Sequence, residues 1–114
     1  MAERFRVSVE GRDTEDALAA VATVLDQAEL PDTTVELRPG EGIDVVTNPV
    51  QSASGLVDCL ATYLRGEGRN LNIEIQRVTG DRVQPLTRMD GQIAASPFEL
   101  LSVVVSLNPP VGMG

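Results

Sequence analysis

The sequence predicts a single α+β domain whose helices cover one face of a sheet. Three observations carry that expectation. The hydrophobic period switches repeatedly between 2 and 3.6 residues. The 114 residues support one core and no second. The middle of the chain, Ser52 to Thr87, contains in one run the patterns of a helix, a strand, a tight hairpin and another strand.

Taken in order, Arg4 to Glu10 alternates, with Phe5, Val7 and Val9 on one side and Arg4, Arg6, Ser8 and Glu10 on the other, which predicts a half-buried strand. Gly11-Arg12 makes a turn, and Asp13 or Thr14 caps a helix. Glu15 and Asp16 fall in its first turn, where the helix dipole favours negative charge. Leu18, Val21, Leu25 and Ala28 form the buried stripe of that helix, and Pro31 prevents it from running on. Thr33 to Arg38 is a second alternating strand, with Val35 and Leu37 inward, closed by Pro39-Gly40-Glu41-Gly42. Ile43 to Thr47 is either a third short strand or an extended loop, because Asn48-Pro49 follows at once.

The central helix places Leu56, Leu60 and Leu64 at i, i+4 and i+8 beside Val57 and Ala61, and turns Asp58, Thr62 and Arg65 to the opposite side. Ser52 or Ser54 is the expected cap, and Gly66 the left-handed terminator. Leu71, Ile73 and Ile75 then alternate with Asn72, Glu74 and Gln76. Gly80-Asp81 forms a two-residue hairpin loop. With Val78 opposite Val83, Ile75 is expected opposite Leu86. Pro85 cannot donate to a ladder, so the last strand belongs at a sheet edge. Arg88 to Ala95 reads as a loop. Ser96-Pro97-Phe98-Glu99 is a capping box with Pro at the first helical position, and the helix it starts runs to Leu107, where Asn108-Pro109-Pro110 stops it.

Strand, helix, strand, strand, helix, strand is the order of a split β-α-β (ferredoxin-like) unit, here with an added edge strand and a C-terminal helix. The domain is expected over residues 1–107, with 108–114 a short Pro/Gly tail. The first strand and the Leu71 to Val78 strand should lie side by side. Arg4, Arg6, Ser8, Asn72, Glu74 and Gln76 suit an open sheet face.

Composition bounds the chemistry. The net charge is −8 and every basic residue is Arg, so nucleic acid is not an expected partner. Residues 1–58 hold 4 Arg against 12 carboxylates, and 59–114 hold 5 of each, so the excess acidity lies in the first half. No apolar run approaches the roughly 18 residues of a membrane span, and the N-terminus lacks an apolar signal region, which makes a cytoplasmic protein with no membrane partner the expectation. Cys59, the sole cysteine, lies on the central helix as a packing residue. There is no His, so neither a His triad nor a His metal site is available, and the carboxylates show no motif spacing. Gly66-Glu67-Gly68-Arg69 follows a helix rather than preceding one and is no phosphate loop. The expectation is a non-enzyme with no cofactor and no metal.

The final helix is the clearest sign of a partner surface. Glu99, Ser102 and Ser106 form one narrow polar stripe, and every other residue from Phe98 to Leu107 is apolar. The apolar arc spans roughly 220°, about twice what one core needs. Leu100, Leu101 and Val104 lie opposite the polar stripe and are expected inward. Phe98, Val103 and Leu107 are the expected partner interface.

The alternating first strand R-F-R-V-S-V-E, the helix after it, the V-E-L-R-P-G strand and turn, and the T-Y-L-R helix end at Thr62 to Arg65 with the strand and hairpin that follow resemble one family. It is the effector-associated constant component family of bacterial conflict systems, and the resemblance runs from Arg4 to about Leu107. The chain departs from that family at Tyr63, where Trp is more usual, in its Gly80-Asp81 hairpin and in its Val-rich last helix. The resemblance implies a non-enzymatic companion of an effector, often a peptidase, that acts through protein contacts; the apolar last helix leaves a homo-oligomer as the other expected partner. Two other readings compete with it. One is a small-molecule-binding regulatory domain, for which Gly11 is the only pointer and a turn glycine the plainer meaning. The other is a folded leader bearing a C-terminal peptide for modification.

Overall fold

The computed structural model describes residues 2–67 and 70–108. Strand β1 (Glu3–Glu10) is followed by helix α1 (Thr14–Gln27), strands β2 (Thr34–Arg38) and β3 (Gly42–Thr47), and helix α2 (Pro49–Arg65). Strands β4 (Asn72–Thr79) and β5 (Arg82–Met89), a single-turn helix α3 (Gly91–Ala94) and helix α4 (Pro97–Leu107) complete it. The strands form one antiparallel sheet in the order β2-β3-β1-β4-β5, so β1 and β4 are neighbours as expected and the Pro85 strand lies at an edge. The segment from Ile43, left open between strand and loop, is a strand.

Register decides the two faces. Val7 pairs with Ile43 on one side and Ile75 on the other, and Phe5 pairs with Val45, so the apolar positions of three strands stack in rows. These rows, together with Leu18, Val21 and Leu25 of α1 and Leu56, Leu60 and Leu64 of α2, make one core cluster. Each fully buried Leu stabilises the fold by about 1.5–3 kcal/mol. Arg6 pairs with Gln76 and Ser8 with Glu74 on the opposite face, which carries no helix.

Several local expectations are corrected. Helix α2 begins one turn earlier than Ser52: Asn48 is the cap, its side chain accepting from the Val50 N–H at 3.1 Å, and Pro49 opens the helix. Asn48-Pro49 is thus a helix start rather than a strand terminator. Ser52 is buried, and its hydroxyl donates to the Pro31 carbonyl. Gly66 ends α2 with φ −98°, outside the left-handed region. In α1, Asp13 holds the cap position without a side-chain cap bond. Ala17 joins the buried stripe, while Ala28 lies past the helix end and is exposed. Leu37, near the end of the edge strand β2 with no strand on its outer side, is exposed rather than inward.

The β4–β5 ladder keeps Val78 opposite Val83 but shifts at Ile75/Gln76, so that Gln76 faces Pro85, Ile75 faces Thr87 and Leu86 is skipped. Without this bulge Met89 would oppose Asn72 on the open face. With it, Met89 sits opposite Ile73 and is buried. The expected loop before α4 contains α3, whose cap is Asp90, accepting from the Ile93 N–H at 2.9 Å. Of the Pro/Gly tail, Asn108 is described. Residues 109–114, on which the modified-leader reading depends, and 68–69 of the glycine-rich turn lie outside the described residues.

Candidate partner-binding surface

Helix α4 starts where its sequence places it. Ser96 accepts from the Glu99 N–H at 3.4 Å and Pro97 occupies the first turn, although the reciprocal half of the capping box is replaced by a bond from the Ser96 N–H to the Ile93 carbonyl. That bond ties α4 directly to α3, whose Ala94 is fully buried. The helix then runs back along the sheet against α2 and β5, and its last turn meets Arg77. Arg77 occupies an apolar-face position of β4, in line with Ile73 and Ile75. Its Nη2 donates to the Leu107 carbonyl at 3.4 Å, its Nε lies 3.1 Å from Glu3, and its guanidinium sits 5.8 Å from the centre of the Phe5 ring. A cation at the C-terminal end of a helix complements the dipole there.

This anchoring sets the rotation of α4, and the rotation differs from the expected one. Val103 and Leu107, expected at a partner interface, are 3% and 0% exposed and belong to the core. Phe98 is exposed as expected, at 87%. Leu101, expected inward, is 63% exposed, and Val105 is 45% exposed beside it. Leu100 and Val104 are half-buried. The inward face is therefore one flank of the polar stripe rather than the arc opposite it. Turning the stripe sideways costs little, because the Ser106 hydroxyl donates to the Ser102 carbonyl within the helix at 2.9 Å and needs no solvent.

The outward arc of α4 borders a groove of about 380 Å³ between α2 and α4. Its walls include Val57 and Asp58 of α2 and Leu100, Leu101 and Val104 of α4. Val50, one turn before Ser54 on the same flank of α2, adds another exposed apolar side chain. The sequence reading missed Leu101 and Val105. The usable signal was Asp90 three residues before Ile93, a second cap that adds α3 and fixes the approach of α4.

Two other features lie apart from this groove. A wider cleft of about 930 Å³ lies between the β1–α1 turn and the end of α2, with Asp13, Asp16, Tyr63 and Glu67 among its walls. Gly11 borders it at φ 142°, a backbone conformation that L side chains rarely adopt, and an added Cβ would stand 2.6 Å from Leu71 Cδ2, so its glycine is explained by the turn itself. Burial, then the Glu67 charge, pushes the Tyr63 phenol up, and it stays protonated. On the open sheet face Asp44 is 3% exposed beneath three arginines: Arg6 Nε donates to its Oδ1 at 2.9 Å, while Arg38 Nε and Arg4 Nη1 lie 2.7 Å and 3.8 Å from its Oδ2 as ion pairs. Burial pushes the Asp44 carboxyl up, but the Arg6 hydrogen bond and the surrounding arginine charges outweigh it and hold the carboxyl below its usual range. Cys59 is half-buried and its thiol is pushed up by burial and by Asp58. Among the described residues no group of three His, Cys, Asp or Glu side chains is arranged to hold a metal, and no helix is long and apolar enough to cross a membrane. Comparison with protein-family models, curated proteins and solved structures finds no match for the chain.

Proposed function

We propose that this chain is a non-catalytic, cytoplasmic protein-interaction component that accompanies an effector in a bacterial conflict system and meets its partner through the outer arc of α4 and the α2–α4 groove. The observation that carries this reading is the side-by-side exposure of Phe98, Leu101 and Val105 on a helix whose opposite face is fully committed to the core. Such a patch on a small domain is the usual mark of a protein contact. The sheet order supports a ferredoxin-like reading of the first six elements, since β1 lies between β3 and β4, with β5 and α4 as the additions. Co-expression of tagged wild type and Leu101→Glu with the products of neighbouring genes tests the proposal. Wild type should retain one of them and Leu101→Glu should lose it at unchanged thermal stability. Equal retention by a folded Leu101→Glu would move the interface elsewhere.

A second reading, a small-molecule-binding regulatory domain, is favoured by the cleft beside Gly11. Among the described residues its walls carry Asp13, Asp16 and Glu67 against Arg12, a balance that would suit an amine better than an acid. Screening simple amines by thermal shift, with Asp16→Asn as the control, distinguishes it.

A further inference from the structure

The shape and charge of the α2–α4 surface narrow what it can hold. Both walls are helices, whose backbone N–H and C=O groups are paired within themselves, so they offer no hydrogen-bonding edge to an extended strand. An occupant must satisfy its own backbone, and a helix does so. The 11 residues of α4 make a wall of about 16 Å, long enough for roughly three turns of a docked helix.

The charges are divided between the layers. Among the described residues, Arg4, Arg6, Arg38, Arg77, Arg82 and Arg88 lie on strands, whereas Arg65 alone lies on a helix. The Arg65 guanidinium is already engaged with the Ala94 carbonyl and the Thr62 hydroxyl. The helices instead carry Glu15, Asp16, Asp26, Asp58 and Glu99. Asp58 stands on the α2 wall of the groove and Glu99 lies on the polar flank of α4, so the apolar arc has an exposed carboxylate on either side. Two copies meeting through this layer would oppose like charges, and an anionic lipid surface would be repelled.

We infer that the occupant is a cationic amphipathic helix of another protein, its apolar stripe against Leu100, Leu101 and Val104 and its Lys or Arg flanks against Asp58 and Glu99. This rests on the proposed interaction role and adds the chemistry of the partner. The probe is a stapled helical peptide with Leu at i, i+3 and i+7 flanked by Lys, together with a twin in which each Lys is Glu, both titrated against the whole chain by fluorescence anisotropy. The cationic peptide should bind at least about tenfold tighter than its twin at low salt. The double substitution Asp58→Lys with Glu99→Lys should reverse that order, and Leu101→Gln should weaken both peptides. Equal binding of the two peptides, or an order unchanged by the double substitution, overturns the cationic assignment, while a loss on Leu101→Gln would still uphold the surface. Binding indifferent to Leu101→Gln, or no binding of either peptide, overturns the site itself. Dimerisation in light scattering, or pelleting with phosphatidylglycerol vesicles, that Leu101→Gln abolishes would replace the partner helix with a second copy or a lipid surface.

Discussion

Helices α2 and α4 pack on the same sheet face, yet only one of them could be oriented from its residues. In α2 the apolar positions Leu56, Leu60 and Leu64 stand opposite Asp58, Thr62 and Arg65, so a rotation would bury charge, and the structure buries the expected side. In α4 the only polar groups besides Glu99 are two serines, and several rotations bury comparable apolar area. The choice falls to features outside the helix itself: the α3 turn, the Arg77 anchor on Leu107 and the space beside α2. A helix orients itself by what it must keep out of the core. Where that set is small, its neighbours decide.

Breaking α4 on each side gives the largest contrast. Val103→Glu places an unpaired carboxylate in the core and should cost more than about 4 kcal/mol, unfolding the domain. Leu101→Glu adds the same group on the exposed arc and should change stability by no more than about 0.5 kcal/mol. Thermal melts of the pair check this, and equal damage would mean α4 is rotated from its described position. The matching pair on α2 should behave as the pattern dictates. Leu60→Ala should cost about 2–5 kcal/mol from transfer and cavity formation, as should Ile73→Ala beneath it in the same core, while exposed Asp58→Ala should stay within about 0.5 kcal/mol. Denaturant midpoints with unchanged slopes are the readout.

A smaller effect belongs to the face that neither helix touches. Asp44→Asn removes the carboxylate beneath Arg4, Arg6 and Arg38 and should cost about 1–2 kcal/mol at neutral pH, with the exposed arginines partly screened by water. The folded carboxyl titrates below its ordinary value of 3.8, so its contribution is present above that value and is lost as pH falls through the lower folded one. The gap between wild type and Asp44→Asn should therefore be constant above about pH 4 and close below it. A gap that persists undiminished to pH 2 would show that Asp44 acts through packing rather than charge.

What was legible follows the same logic. Strands β1 and β4 alternate strongly and pair continuously, and their faces were read correctly from Phe5, Val7, Ile73 and Ile75. Strand β5 was misread beyond Pro85 because counting in twos presumes an unbroken ladder, and the bulge that skips Leu86 shifts every later residue to the other face. The start of α2 was misread because Asn-Pro both ends strands and begins helices, and only the burial of Pro49 and Ser52 against neighbouring segments distinguishes the two. The Asp44 cluster was invisible for a different reason. Its arginines come from β1 and β2, and nothing local says that β3 runs between them. Of the residues expected at the interface, Phe98 is exposed, whereas Val103 and Leu107 are buried and Leu101, expected inward, is exposed.

Helix α4 buries Val103 and presents Leu101, and thiol labelling in the folded protein reads both positions. The background is Cys59→Ala, whose half-buried thiol should be replaceable at a cost of no more than about 1 kcal/mol. In that background Leu101→Cys should react with a maleimide at nearly the rate of an unfolded control. Val103→Cys should react only as fast as the domain opens, slower by about a hundredfold or more if opening requires global unfolding. Rapid labelling of Val103→Cys alongside protection of Leu101→Cys would instead give α4 the rotation read from the polar stripe.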